Sequence, residues 1–186
     1  MYNPTLALVA SFIAMSLIVL SYFVKKKEGY LLFQMLGIIF LVVSYFFTTQ
    51  FFAMVGLAIA ILRVLTYFLY ERKDCPAPLV WAFVFSGLTI ASYFIVNLWI
   101  LQKAQYIDIV LLVAACLYAF VFRIRSLKTV RFLALIPTVL SILYNTASGA
   151  AIFVSVSYIF ELTADIVSIF RYHIIGVNND ATMNNK

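Results

Sequence analysis

The stretch "TLALVASFIAMSLIVLSYFVKKK" (5–27) decides the fold class. Twenty residues from Thr5 to Val24 carry no charge, and three lysines then follow without a break. A hydrocarbon core of about 30 Å needs roughly 20 apolar residues in an α-helix. A membrane-spanning strand would alternate apolar and polar residues, and this run is continuous. A helix also satisfies its own backbone hydrogen bonds where water is absent. The stretch therefore reads as a first transmembrane helix that stops at a basic rim. It is not a cleavable signal, because "MYNP" (1–4) before it has no basic side chain.

The rest of the chain follows the same rule. Of its 186 residues, 66% are hydrophobic and 11% are charged. Soluble domains carry about 25% charged residues. Apolar runs lie near 5–24, 30–47, 51–70, 79–100, 104–122, 130–145 and 150–170. The expected fold is an all-α integral membrane protein with seven transmembrane helices. The formal charge of +6 is accounted for by basic loops rather than by a nucleic-acid surface. Cys75 in a polar loop and Cys116 inside an apolar run belong at different depths, so no disulfide is expected. One histidine, His173, and two distant cysteines give no metal-ligand spacing. No cofactor, nucleophile motif or phosphate-binding glycine loop is present, so no enzyme is expected.

Seven spans put Lys25, Lys26, Lys27, Arg72, Lys73, Arg123, Arg125, Lys128, Arg131, Arg171 and Lys186 on one face. Only Lys103 falls on the other, and Arg63 remains inside a span. The positive-inside rule then predicts an outside N-terminus and a cytoplasmic C-terminus. The polar tail 174–186 is expected to be disordered. Trp81 and Trp99 bracket the fourth run like interfacial anchors.

Runs one to three and five to seven begin about 99 residues apart. In both triplets a basic loop follows the first helix and a short uncharged turn follows the second. The expected organisation is a three-helix repeat (1–73), a linker helix (74–103) and a second repeat of the same orientation (104–173). Parallel repeats about an axis along the membrane normal are a carrier architecture, the SWEET proteins among them. An ordinary seven-helix bundle with coincidental spacing is the alternative.

Three charges sit within spans: Arg63, Glu161 and Asp165. Insertion of Arg or Asp at a helix centre costs about 2.5–3.5 kcal/mol, so each needs a reason. Arg63 and Glu161 lie at equal depth in helices of the same direction, and Asp165 lies one turn further on Glu161's face. Arg63 is expected to pair with Glu161, Asp165 or both between the triplets. Such a cluster serves either as an architectural ion pair or as a site for a solute or ion. Tyr144 and Asn145, which close the sixth run, join the candidate pathway. Pro137 interrupts that run and frees a carbonyl one turn back.

Two segments carry a family resemblance: "AIAILRVLTYFLYERK" (58–73) and "FRIRSLKTVRFLALIPTVLSILYNTASGAAIFVSVSYIFELTADIVSIFRY" (122–172). The Arg63 helix, the basic loop from Arg123 to Arg131, and Tyr144-Asn145 before a turn with Gly149 resemble the YgjV family of bacterial inner-membrane proteins. That family is similar to the group containing SWEET sugar carriers, PQ-loop proteins and nicotinamide riboside carriers, although this chain has no Pro-Gln pair. The resemblance implies the bacterial inner membrane and the three-plus-one-plus-three plan. Two functions follow as expectations. One is a carrier for a small solute, and the other is a non-transporting structural or regulatory subunit. The expected surroundings are the lipid bilayer and no nucleic acid, with room left for a homo-oligomer.

Overall fold

A computed structural model describes residues 3–49, 51–100, 106–148 and 152–171, with residues 51, 52, 98, 99, 152 and 153 described by backbone alone. The expected disordered tail 174–186, Lys103, His173 and the Gly149 turn lie outside the described residues, as does the side chain of Trp99.

Among the described residues the chain is entirely helical. The elements are α1 (Pro4–Phe23), α2 (Lys27–Phe47), α3 (Phe51–Arg72), α4 (Leu79–Tyr93) continued by a π-helical segment (Phe94–Ile100), α5 (Tyr106–Val121), α6 (Leu127–Ala147) and α7 (Ile152–Ile169). Five stretches are long and apolar enough to cross a membrane: Pro4–Phe23, Lys27–Phe47, Ala53–Arg72, Leu79–Asn97 and Leu127–Ala147. Tyr106–Val121 is apolar but shorter.

Local chemistry sets the helix starts. Asn3 caps α1, its side chain accepting from the Leu6 N–H at 3.2 Å, and Pro4 occupies the first turn. Ser126 caps α6 in the same way through the Thr129 N–H. Both α2 and α6 begin about three residues before their apolar runs. Lys27 is the reason in α2: its Nζ meets Glu71 Oε2 at 2.7 Å, and the paired cation enters the helix.

The inner face of α1 is a stripe of small residues, Ala7, Ala10, Ser11 and Ala14, followed by Ile18 and Ser21. Small residues let helices approach closely where no hydrophobic force drives them together. Gly37 of α2 meets this stripe, and a Cβ there would lie 3.2 Å from the Ala14 carbonyl oxygen. Ser11 and Ser44 share a hydrogen bond of 2.7 Å across the same seam. Bulky apolar side chains point the other way, with Phe12, Phe83 and Phe132 all exposed. Polar groups inside and phenylalanines outside are the arrangement lipid requires.

Neighbours in sequence pack together, and α1 also packs on α7 while α3 touches α5. Helices α1, α2, α3, α5, α6 and α7 thus close a ring. α4 packs outside it, on α3 and α5. The loops at one end are tied together. Arg125 donates to the Asp74 carbonyl at 2.6 Å, Arg123 Nε to Ala77 O at 3.1 Å, and Lys27 pairs with Glu71. The basic loops therefore share one end of the bundle, as their spacing predicted.

Burial repeats along the chain. Residues 30–46 of α2 and 130–146 of α6 agree in burial class at 16 of 17 positions when offset by 100. α3 and α7 agree best at 101, where buried Ala60, Arg63, Val64 and Tyr67 answer to buried Glu161, Ala164, Asp165 and Ser168. Both offsets lie within two residues of the spacing between the run starts.

Candidate functional site

A cavity of about 70 Å³ lies at the centre of the ring. All six ring helices line it and α4 does not. A water needs roughly 10–15 Å³ measured this way, so the space holds about five to seven atoms of water size. Its middle is apolar, with Ile18, Ile38, Leu41, Leu57 and Leu111. Arg63 and Glu161 line it toward the basic end, and Tyr45 and Ser141 line it further along α2 and α6.

Arg63 is buried, with 3% of its surface exposed. It forms no ion pair with Glu161 or Asp165, contrary to the pairing expected from depth. The salt bridges among the described residues are Lys27–Glu71 and Arg125–Asp74. Arg63 Nη1 instead donates to the Ala115 carbonyl oxygen of α5 at 2.6 Å. Its guanidinium carbon stands 5.8 Å from the Tyr118 ring centre and 5.7 Å from that of Phe122. Both are within the range at which a ring face attracts a cation. Nε has no hydrogen-bond partner. Helix rotation decides the contacts: Arg63 turns to α5, not to α7.

Glu161 is also buried, and its Oε1 accepts from the Tyr22 hydroxyl at 3.0 Å. Tyr22 was not among the expected site residues. It stands three residues before the lysine run, where sequence gives no sign of its direction. Asp165 shares Glu161's face as predicted, but it does not line the cavity. It is wholly buried, and neither carboxylate oxygen has a hydrogen-bond partner. The cation acting on it electrostatically is Arg131.

Arg131 was expected on the basic rim. It is buried in the first turns of α6, where Nη2 donates to Tyr22 O at 2.9 Å and Val24 O at 2.8 Å. The last carbonyls of a helix have no partner within it. Arg131 therefore caps α1 from α6, two places round the ring.

Tyr144 and Asn145 are buried but lie outside the cavity lining. Asn145 Oδ1 accepts from the Tyr45 hydroxyl, and its Nδ2 donates to Ser141 O at 2.7 Å. Tyr45 and Asn145 lie 100 residues apart, and their hydrogen bond joins α2 directly to α6. The structure thus brings Arg63 and Glu161 to one cavity, and leaves Asp165, Tyr144 and Asn145 behind its walls. Asp108 of α5 accepts from Asn97 Nδ2 at 2.7 Å. The wider π-helical turn carries Asn97 onto the α5 side.

Apolar helices with bulky side chains outward and buried charges around a central cavity define a multi-pass helical membrane protein. The family comparison agrees. The sequence model of the Imp-YgjV family, described as bacterial inner membrane protein, matches residues 5–174, and the chain belongs to that family. No curated protein and no solved structure matches it.

Proposed function

We propose that the chain is a small-solute carrier working between two three-helix repeats. The carrying observation is the cavity, which all six ring helices line and the linker α4 does not touch. In this reading all seven helices span the membrane. The basic end faces the cytoplasm, with the N-terminus outside and the C-terminus inside. Residues 1–73 and 104–173 are the repeats, and 74–103 is the linker.

Two observations support a twofold relation. The burial pattern of α2 recurs in α6, and Tyr45 meets Asn145. A twofold axis brings equivalent positions together where they lie close to it. The α1–α7 and α3–α5 contacts are equivalent under the same relation. Rocking one triplet against the other would open the cavity first to one side and then to the other. Arg63 and Glu161 face the solute, while Asp165, Tyr144 and Asn145 support the walls.

The second reading is a non-transporting structural or regulatory subunit. The hydrogen bonds from Arg131, Tyr45 and Tyr67 across the ring favour it, since they dock the halves together. Counterflow in proteoliposomes separates the two. Gly56 lines the cavity and has open space where a Cβ would stand, so Gly56→Phe fills the cavity without a backbone clash. The carrier reading expects counterflow of at least one class of small solute (polyols, amino acids or nucleosides). It also expects Gly56→Phe to abolish it while eluting as the same monodisperse species. No counterflow of any class would support the structural reading.

A further inference from the structure

The cavity presents a cation and an acid that do not touch. Arg63 spends one donor on Ala115 O and leaves Nε unpartnered, although it is almost wholly buried. Glu161 receives the Tyr22 hydroxyl on Oε1, and among the described residues no donor to Oε2 is found. Both side chains line the same space. Buried charged groups are stable when paired and fully hydrogen-bonded. Here the pairing is left unmade, and the space between the groups is large enough for a small molecule.

We propose that the site takes a small amphoteric solute, with its carboxylate toward Arg63 and its ammonium group toward Glu161. A guanidinium presents a planar fork that matches a carboxylate, and Nε belongs to that fork. A carboxylate oxygen matches an ammonium donor. A simple anion would satisfy Arg63 and lie beside Glu161; a simple cation would do the reverse. A neutral solute would leave both charges unmatched in an apolar cavity. The amphoteric solute balances both and adds no net charge to the site. The volume of about 70 Å³ suits a compact molecule such as glycine or β-alanine.

This assignment rests on the carrier reading, and the test separates them. The thermal stability of the purified full chain is titrated with glycine, β-alanine, acetate, methylammonium and neutral glycolamide. Glycine or β-alanine is expected to bind at least tenfold more tightly than the other three probes. Arg63→Met removes the advantage over methylammonium, and Glu161→Gln removes the advantage over acetate. Should Arg63→Met aggregate, Arg63→Lys keeps the charge without the fork, and is expected to keep the preference with weaker binding. Glycolamide binding as tightly as glycine, in parent and variants alike, would overturn the amphoteric assignment and leave the carrier reading standing. Binding by none of the probes overturns the assignment too. The carrier reading falls with it only if counterflow is also absent.

Discussion

Arg131→Ala is expected to lose about 3–5 kcal/mol of stability, the scale for removing one partner of a buried charge interaction. Three losses coincide. The carbonyls of Tyr22 and Val24 lose their shared donor at 2.9 and 2.8 Å. Buried Asp165 loses the cation that acts on it, and it has no hydrogen bond in reserve. The link between the end of α1 and the start of α6 disappears, which is a link between the two halves. A fall in melting temperature of purified protein and a fall in folded yield would register this. Adding Asp165→Asn should restore part of the loss, because it removes the stranded acid. If the double variant is no more stable than Arg131→Ala, Asp165 does not depend on Arg131.

Arg63→Met is expected to do the opposite. This arginine is as buried as Arg131, but no carboxylate pairs with it. Its bond to Ala115 O and its contacts with Tyr118 and Phe122 offset only part of the cost of burying the charge. An unbranched apolar side chain fills the same track. The melting temperature should hold or rise, while counterflow falls to background. A variant as unstable as Arg131→Ala would instead make Arg63 part of the scaffold and strengthen the structural reading. Two buried arginines on one fold thus separate by outcome: one closes the bundle, the other serves its cavity.

Much of the fold was legible because lipid imposes a strict length and polarity rule. The run 5–24 became α1 at Pro4–Phe23, and 79–100 became α4 with its π-helical end. The run 130–145 understated α6, which begins at Leu127. Polarity alone marks Lys128 as loop, whereas the Ser126 cap starts the helix before it. Arg131 misled for a related reason. A basic residue beside a basic loop reads as rim, and its acceptors lie 107 and 109 residues away in the chain. Apolar side chains interchange freely in lipid, so run starts fix spacing only to within a residue or two, whereas the burial pattern of α2 recurs in α6 at an offset of 100.

The candidate site was legible in part. Depth along a span follows from residue count at 1.5 Å per residue. It placed Arg63 and Glu161 on the same cavity. Which neighbour each would face depends on helix rotation, which depth does not fix. Tyr22 and Ala115, the partners actually used, come from α1 and α5. Nothing in a tyrosine or a backbone carbonyl announces such a role in sequence.

The central claim is that the ring holds a space reached in turn from either side of the membrane. Its most direct test is Gly56→Cys in a chain carrying Cys75→Ser and Cys116→Ala, exposed to a membrane-impermeant thiol reagent. Right-side-out and inside-out vesicles are labelled separately. Gly56 lines the cavity and has no neighbour within 4 Å of an added Cβ, so the thiol enters the space without disturbing its walls. The account predicts labelling from both sides, with a solute that binds shifting the two rates in opposite directions. Labelling from one side only under every condition, or from neither side while the denatured chain reacts fully, would contradict it.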